Sequence, residues 1–299
     1  MKYFLAIDIG GTTFNTGLFD QNYNLIDATP KDKIRYYTSK IDIIEAMIVQ
    51  VVFLLNKFQI ENNNVSALAI AAPGPLDSNK GMILNTLNLK EFNNFKICKY
   101  FKEKLNINTF LENDANLFAY GEWYKQKTNM NHFLGVTLGT GFGVAFIHNG
   151  SIYKGSNGLA MEYGLSPFKW GYCEQNISIN YIRNKSKKIY GKELSPRIIE
   201  EKYYDNDKNA ILIYNNFGDS LGEALSHIIN LLDPDVVSLG GGLSKAFKCF
   251  EDSMLNSIYK NSPVYQNKKI RIYASDNREI STMLGACIYA NSRNKENIN

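Results

Sequence analysis

Cysteine and histidine are scarce in this sequence, which has four cysteines and three histidines among 299 residues. The cysteines stand far apart and form no Cys-x-x-Cys pair, so the usual spacing of a disulfide framework or of a cysteine-built zinc site is missing. They are Cys98, Cys173, Cys249 and Cys287. We therefore expect reduced thiols in a cytoplasmic protein.

Long apolar runs and an excess of one charge are lacking too. No stretch approaches the ~18 to 20 uncharged apolar residues of a membrane span, and Asp8 interrupts the N-terminus where a signal peptide would still be apolar. Thirty-three Lys and Arg against 29 Asp and Glu give a net charge of +4, and the basic residues are scattered along the chain. We expect neither a membrane nor a nucleic-acid partner.

The residues that are present suit a folded protein of more than one domain. Hydrophobic residues make up 44% of the chain and charged residues 21%, which leaves enough apolar matter for a core. A chain of 299 residues exceeds the ~150 residues of one ordinary domain, so two domains are expected.

A short strand that runs into a glycine-rich turn and then a second strand occurs twice. The first case starts with Tyr3–Ile9 and the second with His132–Leu138. Apolar residues at three- and four-residue steps predict helices at 41–55, 114–126, 217–232 and 281–290. Further strands are predicted at 65–72, 108–111 and 236–239.

The two glycine-rich turns are candidate phosphate sites. Glycine takes positive φ at no steric cost and has no side chain to hold a phosphate away from the backbone N–H groups. Segment 8–13 (DIGGTT) places an acid at a strand end, where hydrated Mg²⁺ could approach, and adds two threonine hydroxyls. Segment 139–143 (GTGFG) lacks an acid and would serve phosphate alone. Either loop by itself is more often a simple turn, but two in matching hairpins favour phosphate binding.

Five motifs resemble those of the sugar-kinase, hexokinase and actin-like ATPase superfamily, and within it the ROK (repressor, open reading frame, kinase) proteins. They stand in family order: DIGGT at 8–12, APGPLD at 72–77, ENDAN at 112–116, LGTGFG at 138–143 and LGGG at 239–242. The resemblance implies a two-domain α/β fold of the actin-like ATPase type, with an interdomain cleft that closes over ATP and a sugar. It implies a small N-terminal α/β domain of residues 1–116 that regains the C-terminal helix 284–299, and a larger C-terminal α/β domain of residues 117–283.

The resemblance also implies which residues bind ATP. They are Asp8, Gly10, Gly11, Thr12 and Thr13 in the first loop, Gly139, Thr140 and Gly141 in the second, and Gly240, Gly241 and Gly242 in the adenosine loop. Asp8 would hold Mg²⁺ through water. ATP and Mg²⁺ are therefore the expected cofactors.

Asp114 is the candidate catalytic base. Phosphoryl transfer to a sugar hydroxyl needs a carboxylate that accepts the hydroxyl proton. In the first turn of a helix the carboxylate faces the positive end of the helix dipole, which favours the ionised form. The alternative is that Asp114 merely caps the helix, since either Asn113 or Asp114 could cap the first turn. With the family match we expect the catalytic role.

The sugar-binding residues that the resemblance implies are Gly74, Asn88, Asn113, Asp114, Glu162 and Glu174. Carboxylates suit sugars because each accepts hydrogen bonds from two hydroxyls. As lone residues, Glu162 and Glu174 would more often be surface charges.

The chain departs from the family pattern at the zinc site. ROK kinases usually carry Glu-x-Gly-His, whose histidine binds a structural zinc together with three cysteines, but here Leu165 replaces the histidine and the shortened segment 167–173 keeps one cysteine. One thiol cannot make a tetrahedral zinc site. We predict a zinc-free member in which Phe168, Trp170 and Tyr172 hold the loop instead.

The overall pattern looks most like the bacterial N-acetylmannosamine kinases. The expected reaction is ATP-dependent phosphorylation of the 6-hydroxyl of an N-acylhexosamine, from N-acetylmannosamine to its 6-phosphate in sialic acid catabolism, with glucokinase and N-acetylglucosamine kinase as alternatives. A catalytically silent sugar sensor is the alternative from a different class. A first strand at Tyr3 leaves no room ahead of it for the helix-turn-helix domain of ROK repressors, and a homodimer is the family habit.

Overall fold

The computed structural model describes residues 1–84, 92–127, 130–265 and 270–296. They form two compact units, each with its own hydrophobic core. The first unit comprises residues 1–127, 154–159 and 277–299, and the second comprises 128–153 and 160–276. No helix in these described ranges is both long and apolar enough to span a membrane.

The first unit is built on a mixed sheet with the strand order β3-β2-β1-β5-β8, and β4 pairs with β2. A separate two-stranded sheet pairs β6 with β7. The elements are β1 (Tyr3–Ile9), β2 (Thr13–Phe19), β3 (Leu25–Ala28), β4 (Asp32–Lys33), α1 (Lys40–Lys57), β5 (Val65–Ala72), β6 (Leu76–Asp77), β7 (Met82–Ile83), α2 (Ile97–Leu105), β8 (Thr109–Asn113), α3 (Asp114–Lys125) and, from the end of the chain, α9 (Arg278–Glu296).

Helix α1 shows how the local sequence forms these elements. Ser39 and Asp42 make a capping box at its start, in which each side chain accepts a hydrogen bond from the backbone of the other. Met47 and Val51 lie on a fully buried stripe, as the periodicity predicts. Val52 is another apolar residue of the helix predicted at 41–55, but its side chain is 40% exposed. It follows Val51 by one residue and therefore turns about 100° away from the core.

Parallel pairing brings the candidate residues of the first unit to one sheet edge. Strand β1 pairs in parallel with β5, and β5 pairs in parallel with β8. The register places Asp8 beside Ala71, and Ala71 beside Glu112. The loop after β5 and the start of α3 therefore leave the sheet at the edge where the first glycine loop begins.

Helix α3 packs against α9 through two glycines. A Cβ on Gly121 would lie 1.9 Å from the carbonyl oxygen of Ser281, and one on Gly285 would lie 1.9 Å from that of Leu117. Only glycine permits this backbone approach. The described first unit accordingly continues to Lys127, past the predicted boundary at residue 116. The domain bounds inferred from sequence stay a prediction.

The second unit has a five-stranded sheet with the order β11-β10-β9-β12-β13. Its elements are β9 (His132–Leu138), β10 (Phe142–His148), β11 (Ser151–Ile152), α4 (Cys173–Asn176), α5 (Ile179–Tyr190), α6 (Pro196–Tyr204), α7 (Lys208–Leu232), β12 (Val236–Gly240), α8 (Phe247–Asn261) and β13 (Arg271–Ala274). Strands β9 and β10 form the second glycine-loop hairpin, and β12 pairs in parallel with β9. The carboxyl ends of β9 and β12 therefore meet at one edge.

Candidate active site

The first glycine loop connects β1 to β2 and borders a cavity of about 390 Å³. The N–H of Gly10 donates to the carbonyl oxygen of Thr13 at 2.8 Å, which closes the turn. The cavity is lined by Gly11, Thr12, Thr13, Lys33, Ile34 and Arg35. Of the five residues predicted in the first loop, Gly11, Thr12 and Thr13 line this cavity, and two cationic residues line it with them.

Lys33 and Arg35 were not predicted from sequence. They reach the loop because β4 pairs with β2, opposing Lys33 to Thr13, and because the N–H of Ile34 donates to the carbonyl oxygen of Thr12 at 3.0 Å. Cationic side chains beside backbone N–H groups suit an anionic ligand. No local pattern in the sequence connects residues 33–35 to the loop, since the pairing alone brings them together.

Asp8 lies one residue before the end of β1, opposite Asn15 of β2 and beside Ala71 of β5. Its carboxylate is a hard oxygen donor next to a loop rich in hydroxyl and N–H groups. Mg²⁺ in phosphate sites is typically bound by one or two carboxylates and keeps several waters. The residues present therefore fit a hydrated magnesium ion.

The structure decides which of Asn113 and Asp114 caps helix α3. Asn113 is the N-cap of α3, and its Oδ1 accepts hydrogen bonds from the N–H groups of Ala115 at 2.9 Å and Asn116 at 3.3 Å. Asp114 is the first residue of the helix and is not the capping residue. The helix thus needs no cap from Asp114, whose carboxylate stands at the positive end of the helix dipole.

A buried carboxylate that sequence reasoning passed over organises this helix start. Glu112 is 2% exposed, and its Oε1 accepts from the N–H of Asn113 at 2.9 Å and from Nδ2 of Asn116 at 3.0 Å. Its Oε2 accepts from Oγ of Ser78 at 3.1 Å and pairs with the ammonium of Lys154.

Lys154 belongs to the short segment that the first unit takes from the middle of the chain. Its ammonium also donates to the hydroxyl of Tyr289 at 3.1 Å and lies 4.8 Å from that ring's centre. Burial and the negative charge of Glu112 raise the pKa of Tyr289, so its hydroxyl stays protonated at neutral pH. Glu112 is therefore a buried carboxylate that is held by Lys154, Ser78 and the start of α3.

The predicted sugar-side loop follows β5. Gly74 is half-buried and precedes Pro75 through a cis peptide, and the carbonyl oxygen of Pro75 accepts from the N–H of Leu84 at 3.0 Å. Asn88, the other predicted sugar contact in this region, lies outside the described residues.

Two glycine motifs of the second unit meet at one point. Gly241 has φ +93°, and a Cβ there would lie 2.3 Å from the carbonyl oxygen of Leu138, the residue before the second loop. The register also pairs Gly240 with Thr137. A Cβ on Gly242 would contact Ile179, whose N–H donates to the carbonyl oxygen of Gly139 at 2.8 Å. The loop of Gly139, Thr140 and Gly141 and the loop of Gly240–Gly242 thus form one backbone-lined surface.

One of the two predicted glutamates of the second unit lies close to its glycine loop. Oε2 of Glu174 comes within 3.0 Å of the position that a Cβ on Gly141 would take, and burial raises the pKa of Glu174. Glu162 is exposed and precedes a 3-10 turn in which a Cβ on Gly164 would lie 2.3 Å from the carbonyl oxygen of Phe142. The turn after Glu162, and not its carboxylate, is the part that packs against the residue at position 142 of the loop.

The shortened loop after Glu162 corrects one expectation. Phe168 is buried as predicted, but Trp170 and Tyr172 are 60% and 50% exposed and do not hold the loop. The buried amide of Asn176 does so: its Nδ2 donates to the carbonyl oxygens of Phe168, Trp170 and Tyr172 at 3.0 to 3.5 Å. The two N–H bonds of this amide are shared among the three loop carbonyls, whereas the side chains of Trp170 and Tyr172 carry one donor each.

Cys173 is fully buried beside this loop, and burial raises the pKa of its thiol to about 12. Within the described ranges, no group of three or more His, Cys, Asp or Glu side chains is arranged to hold a metal ion. Zinc-free folding stays a prediction, which metal analysis of the purified protein decides.

Two α/β units, each carrying a hairpin with a glycine-rich loop, define the fold of the actin-like ATPase sugar kinases. This fold class, predicted from the motifs, is confirmed. The family model "ROK family" matches residues 4–293, so the chain belongs to the ROK family.

Known proteins resemble the chain over most of its length. It is 30% identical over 265 residues to the N-acetyl-D-glucosamine kinase of Mannheimia succiniciproducens, covering 80% of this chain and 84% of that protein. A ROK family glucokinase from Streptomyces griseus, solved with glucose and AMPPNP, superposes with a TM-score of 0.82 at 20% identity, covering 97% of this chain and 99% of that one. A Listeria monocytogenes protein described as a candidate N-acetylmannosamine kinase superposes with a TM-score of 0.79 at 21% identity, covering 99% and 100%.

Proposed function

We propose that this protein is an ATP-dependent carbohydrate kinase that phosphorylates the 6-hydroxyl of an N-acylhexosamine. Membership of the ROK family and relatives named as sugar kinases support the reaction class. The observation that carries the assignment is the start of α3, where Asn113 caps the helix and Asp114 does not.

Asp114 accepts the proton of the sugar's 6-hydroxyl as that oxygen attacks the γ-phosphorus. The new oxygen–phosphorus bond forms while the bond to the β-phosphate oxygen breaks, and ADP leaves. The carboxylate of neighbouring Glu112 is already paired with the ammonium of Lys154. Asn113 commits its Oδ1 to the cap, so a sugar contact from Asn113 uses its Nδ2.

The two glycine loops bind the phosphates of ATP. Backbone N–H groups, the threonine hydroxyls and the cations Lys33 and Arg35 offset the phosphate charge at the first loop. Asp8 holds Mg²⁺ through water, and the ion, when bound with ATP, lowers the negative charge that the attacking oxygen meets.

N-acetylmannosamine is the first candidate substrate, as a step of sialic acid catabolism. The resemblance of the zinc-less motif pattern supports it, and so does the likeness in fold to the Listeria protein. N-acetylglucosamine is the second candidate because a 30% identical relative is named for it, and glucose is the third. Glu162, Glu174, Asn113 and Gly74 are the proposed sugar contacts, with Asn88.

A coupled ADP-release assay over a panel of hexoses and N-acetylhexosamines tests the proposal. The highest kcat/KM is expected with N-acetylmannosamine, and the product is expected to carry phosphate on O6. If ADP is released only with N-acetylglucosamine or only with glucose, the protein is a kinase, but its substrate is that sugar and not N-acetylmannosamine. Sugar binding without any ADP release would instead indicate a sugar sensor. We also propose a homodimer, which sedimentation of the purified protein tests.

A further inference from the structure

The first turn of helix α3 is held by a buried carboxylate that contacts the chain on both sides of Asp114. Oε1 of Glu112 accepts from the N–H of Asn113, the residue before Asp114, and from Nδ2 of Asn116, which follows in the same turn. Asn113 in turn caps the helix. A shift of the Glu112 carboxylate therefore acts directly on the turn that carries Asp114.

The position of Glu112 depends on its counter-charge. A buried carboxylate that loses its ion-pair partner carries a large, uncompensated desolvation cost. Lys154 supplies the opposite charge through its ion pair with Oε2 of Glu112. The hydroxyl of Ser78 donates to the same oxygen at 3.1 Å, but a neutral donor does not balance the charge. Lys154 is thus the residue that lets the Glu112 carboxylate stay buried beside α3.

Lys154 is itself held by helix α9. Its ammonium donates to the hydroxyl of Tyr289 at 3.1 Å and lies 4.8 Å from the centre of that ring. The Tyr289 side chain is buried. A lysine side chain is flexible, so these two contacts restrict where its ammonium stands. The ammonium is therefore fixed between α9 and the carboxylate of Glu112.

Building on the proposed kinase function, we propose that Lys154 is a positioning residue for the catalytic base Asp114. It acts through Glu112, whose carboxylate fixes the first turn of α3. Phosphoryl transfer depends on the placement of the reacting groups, and a displacement of about 1 Å can cost ~10²-fold in rate. Loss of Lys154 is therefore expected to slow the chemical step while the binding of ATP is retained.

Helix α3 provides a matched control, because it carries a second network of the same composition. Glu122 is buried, pairs with Lys125 at 3.0 Å and accepts from the hydroxyl of Ser281. The side chains of Lys125 and Lys154 are 34% and 29% exposed. Glu122 lies about two helical turns beyond Asp114. The two ion pairs are thus alike in charge and burial and differ in their place along the helix.

The test compares Lys154→Met with Lys125→Met. Each variant leaves a buried carboxylate without its cation, so each should lower the thermal midpoint. At a temperature well below both midpoints, Lys154→Met should lower kcat with the best sugar about tenfold or more and keep the KM for ATP within about twofold. Lys125→Met should keep kcat within about twofold of the parent value. An unchanged kcat in Lys154→Met, or an equal loss in both variants, overturns the proposal.

A double variant tests the route through Glu112. Combining Lys154→Met with Glu112→Gln removes the buried charge, and the glutamine oxygen can still accept from Asn113 and Asn116. The kcat of the double variant should therefore be severalfold higher than that of Lys154→Met. A double variant no faster than Lys154→Met would show that Lys154 does not act through the charge of Glu112, and would overturn the proposal.

Hydrogen exchange separates the failure of this proposal from the failure of the kinase function, because it needs neither sugar nor ATP. Amides of residues 113–118 should exchange at least about tenfold faster in Lys154→Met than in the parent, and at the parent rate in Lys125→Met. Unchanged exchange there in Lys154→Met refutes the role of Lys154, even if the parent is an active kinase. A parent that phosphorylates no sugar refutes the kinase function, even if Lys154→Met loosens the turn.

Discussion

The two glycine-loop hairpins share a backbone plan and differ in what surrounds them. Each joins two antiparallel strands of seven residues. The first loop is flanked by Asp8 and the cations Lys33 and Arg35, whereas the second is flanked by Glu174 and the start of α5. The same local motif thus has an acid and two cationic residues around it in one unit, and a carboxylate and the start of a helix around it in the other.

The two units also hold their sites by different forces. In the first unit an ion pair between the buried Glu112 and the half-buried Lys154 fixes the start of α3. In the second unit close backbone packing at Gly241 fixes the loop against Leu138. The first arrangement is sensitive to charge and the second to the volume of a single methyl group.

Removing the cation of the ion pair should have the largest effect on stability. Lys154→Met leaves the carboxylate of Glu112 buried without its counter-charge, which should lower the free energy of unfolding by about 3 kcal/mol or more. Urea denaturation measures the loss. The double variant Lys154→Met with Glu112→Gln should recover part of it, and strictly additive losses would show that the two side chains are not coupled.

Gly241→Ala should be the next most damaging change. A methyl group would clash with the carbonyl oxygen of Leu138 in a backbone conformation that disfavours side chains, so we expect a loss of about 2 to 3 kcal/mol. Thermal unfolding measures it. An unchanged thermal midpoint would mean that the backbone at Gly241 does not pack closely against Leu138.

Asp8→Asn should slow turnover by about tenfold and raise the Mg²⁺ concentration needed for half-maximal rate, because a neutral amide is a poorer ligand for hydrated magnesium. Titration of Mg²⁺ at saturating ATP measures both. Thr140→Val in the second loop is the control, and it should leave the magnesium requirement as it is. If both variants raise the Mg²⁺ concentration for half-maximal rate by the same factor, the magnesium site is not specific to the first loop.

Gly139→Ala should have the smallest effect on the fold. A Cβ there would meet no atom within 4 Å, so the thermal midpoint should equal that of the parent. The KM for ATP should nevertheless rise severalfold, since the methyl group would stand where a phosphate approaches the loop. An unchanged KM would argue that the loop does not touch phosphate.

Much of the fold can be predicted from the sequence where the spacing of apolar residues agrees with the glycine and proline residues that end each element. Strands Tyr3–Ile9, Val65–Ala72 and His132–Leu138 have the predicted bounds because each is a mostly apolar run that is followed by glycine or proline. Helix α7 begins at Lys208 instead of 217, with Asp207 as its cap, and the buried residues Ala210, Ile213 and Tyr214 extend the helical spacing toward its amino end. Helix α8 was not predicted, although Phe247, Phe250, Met254 and Ile258 repeat at helical steps.

The candidate site is harder to predict from the sequence where strand pairing or ion pairing brings distant residues together. The motifs identified the glycine loops and the acids that follow strands. Lys33 reaches the first loop only through strand pairing. The role of Lys154 is visible only from its ion pair with the buried Glu112. The prediction that Trp170 holds the shortened loop was wrong. Aromatic residues usually bury their rings, but Trp170 is exposed and the side-chain amide of Asn176 holds the loop instead.

The central claim is that Asp114 is the base of a phosphoryl transfer, and Asp114→Asn tests it most directly. The variant keeps shape and hydrogen bonding but loses basicity, so kcat with the best sugar should fall by roughly 10² or more. Sugar affinity, measured by calorimetry, should largely survive. Turnover near the parent rate in a correctly folded Asp114→Asn protein would contradict the assignment and most of the mechanism.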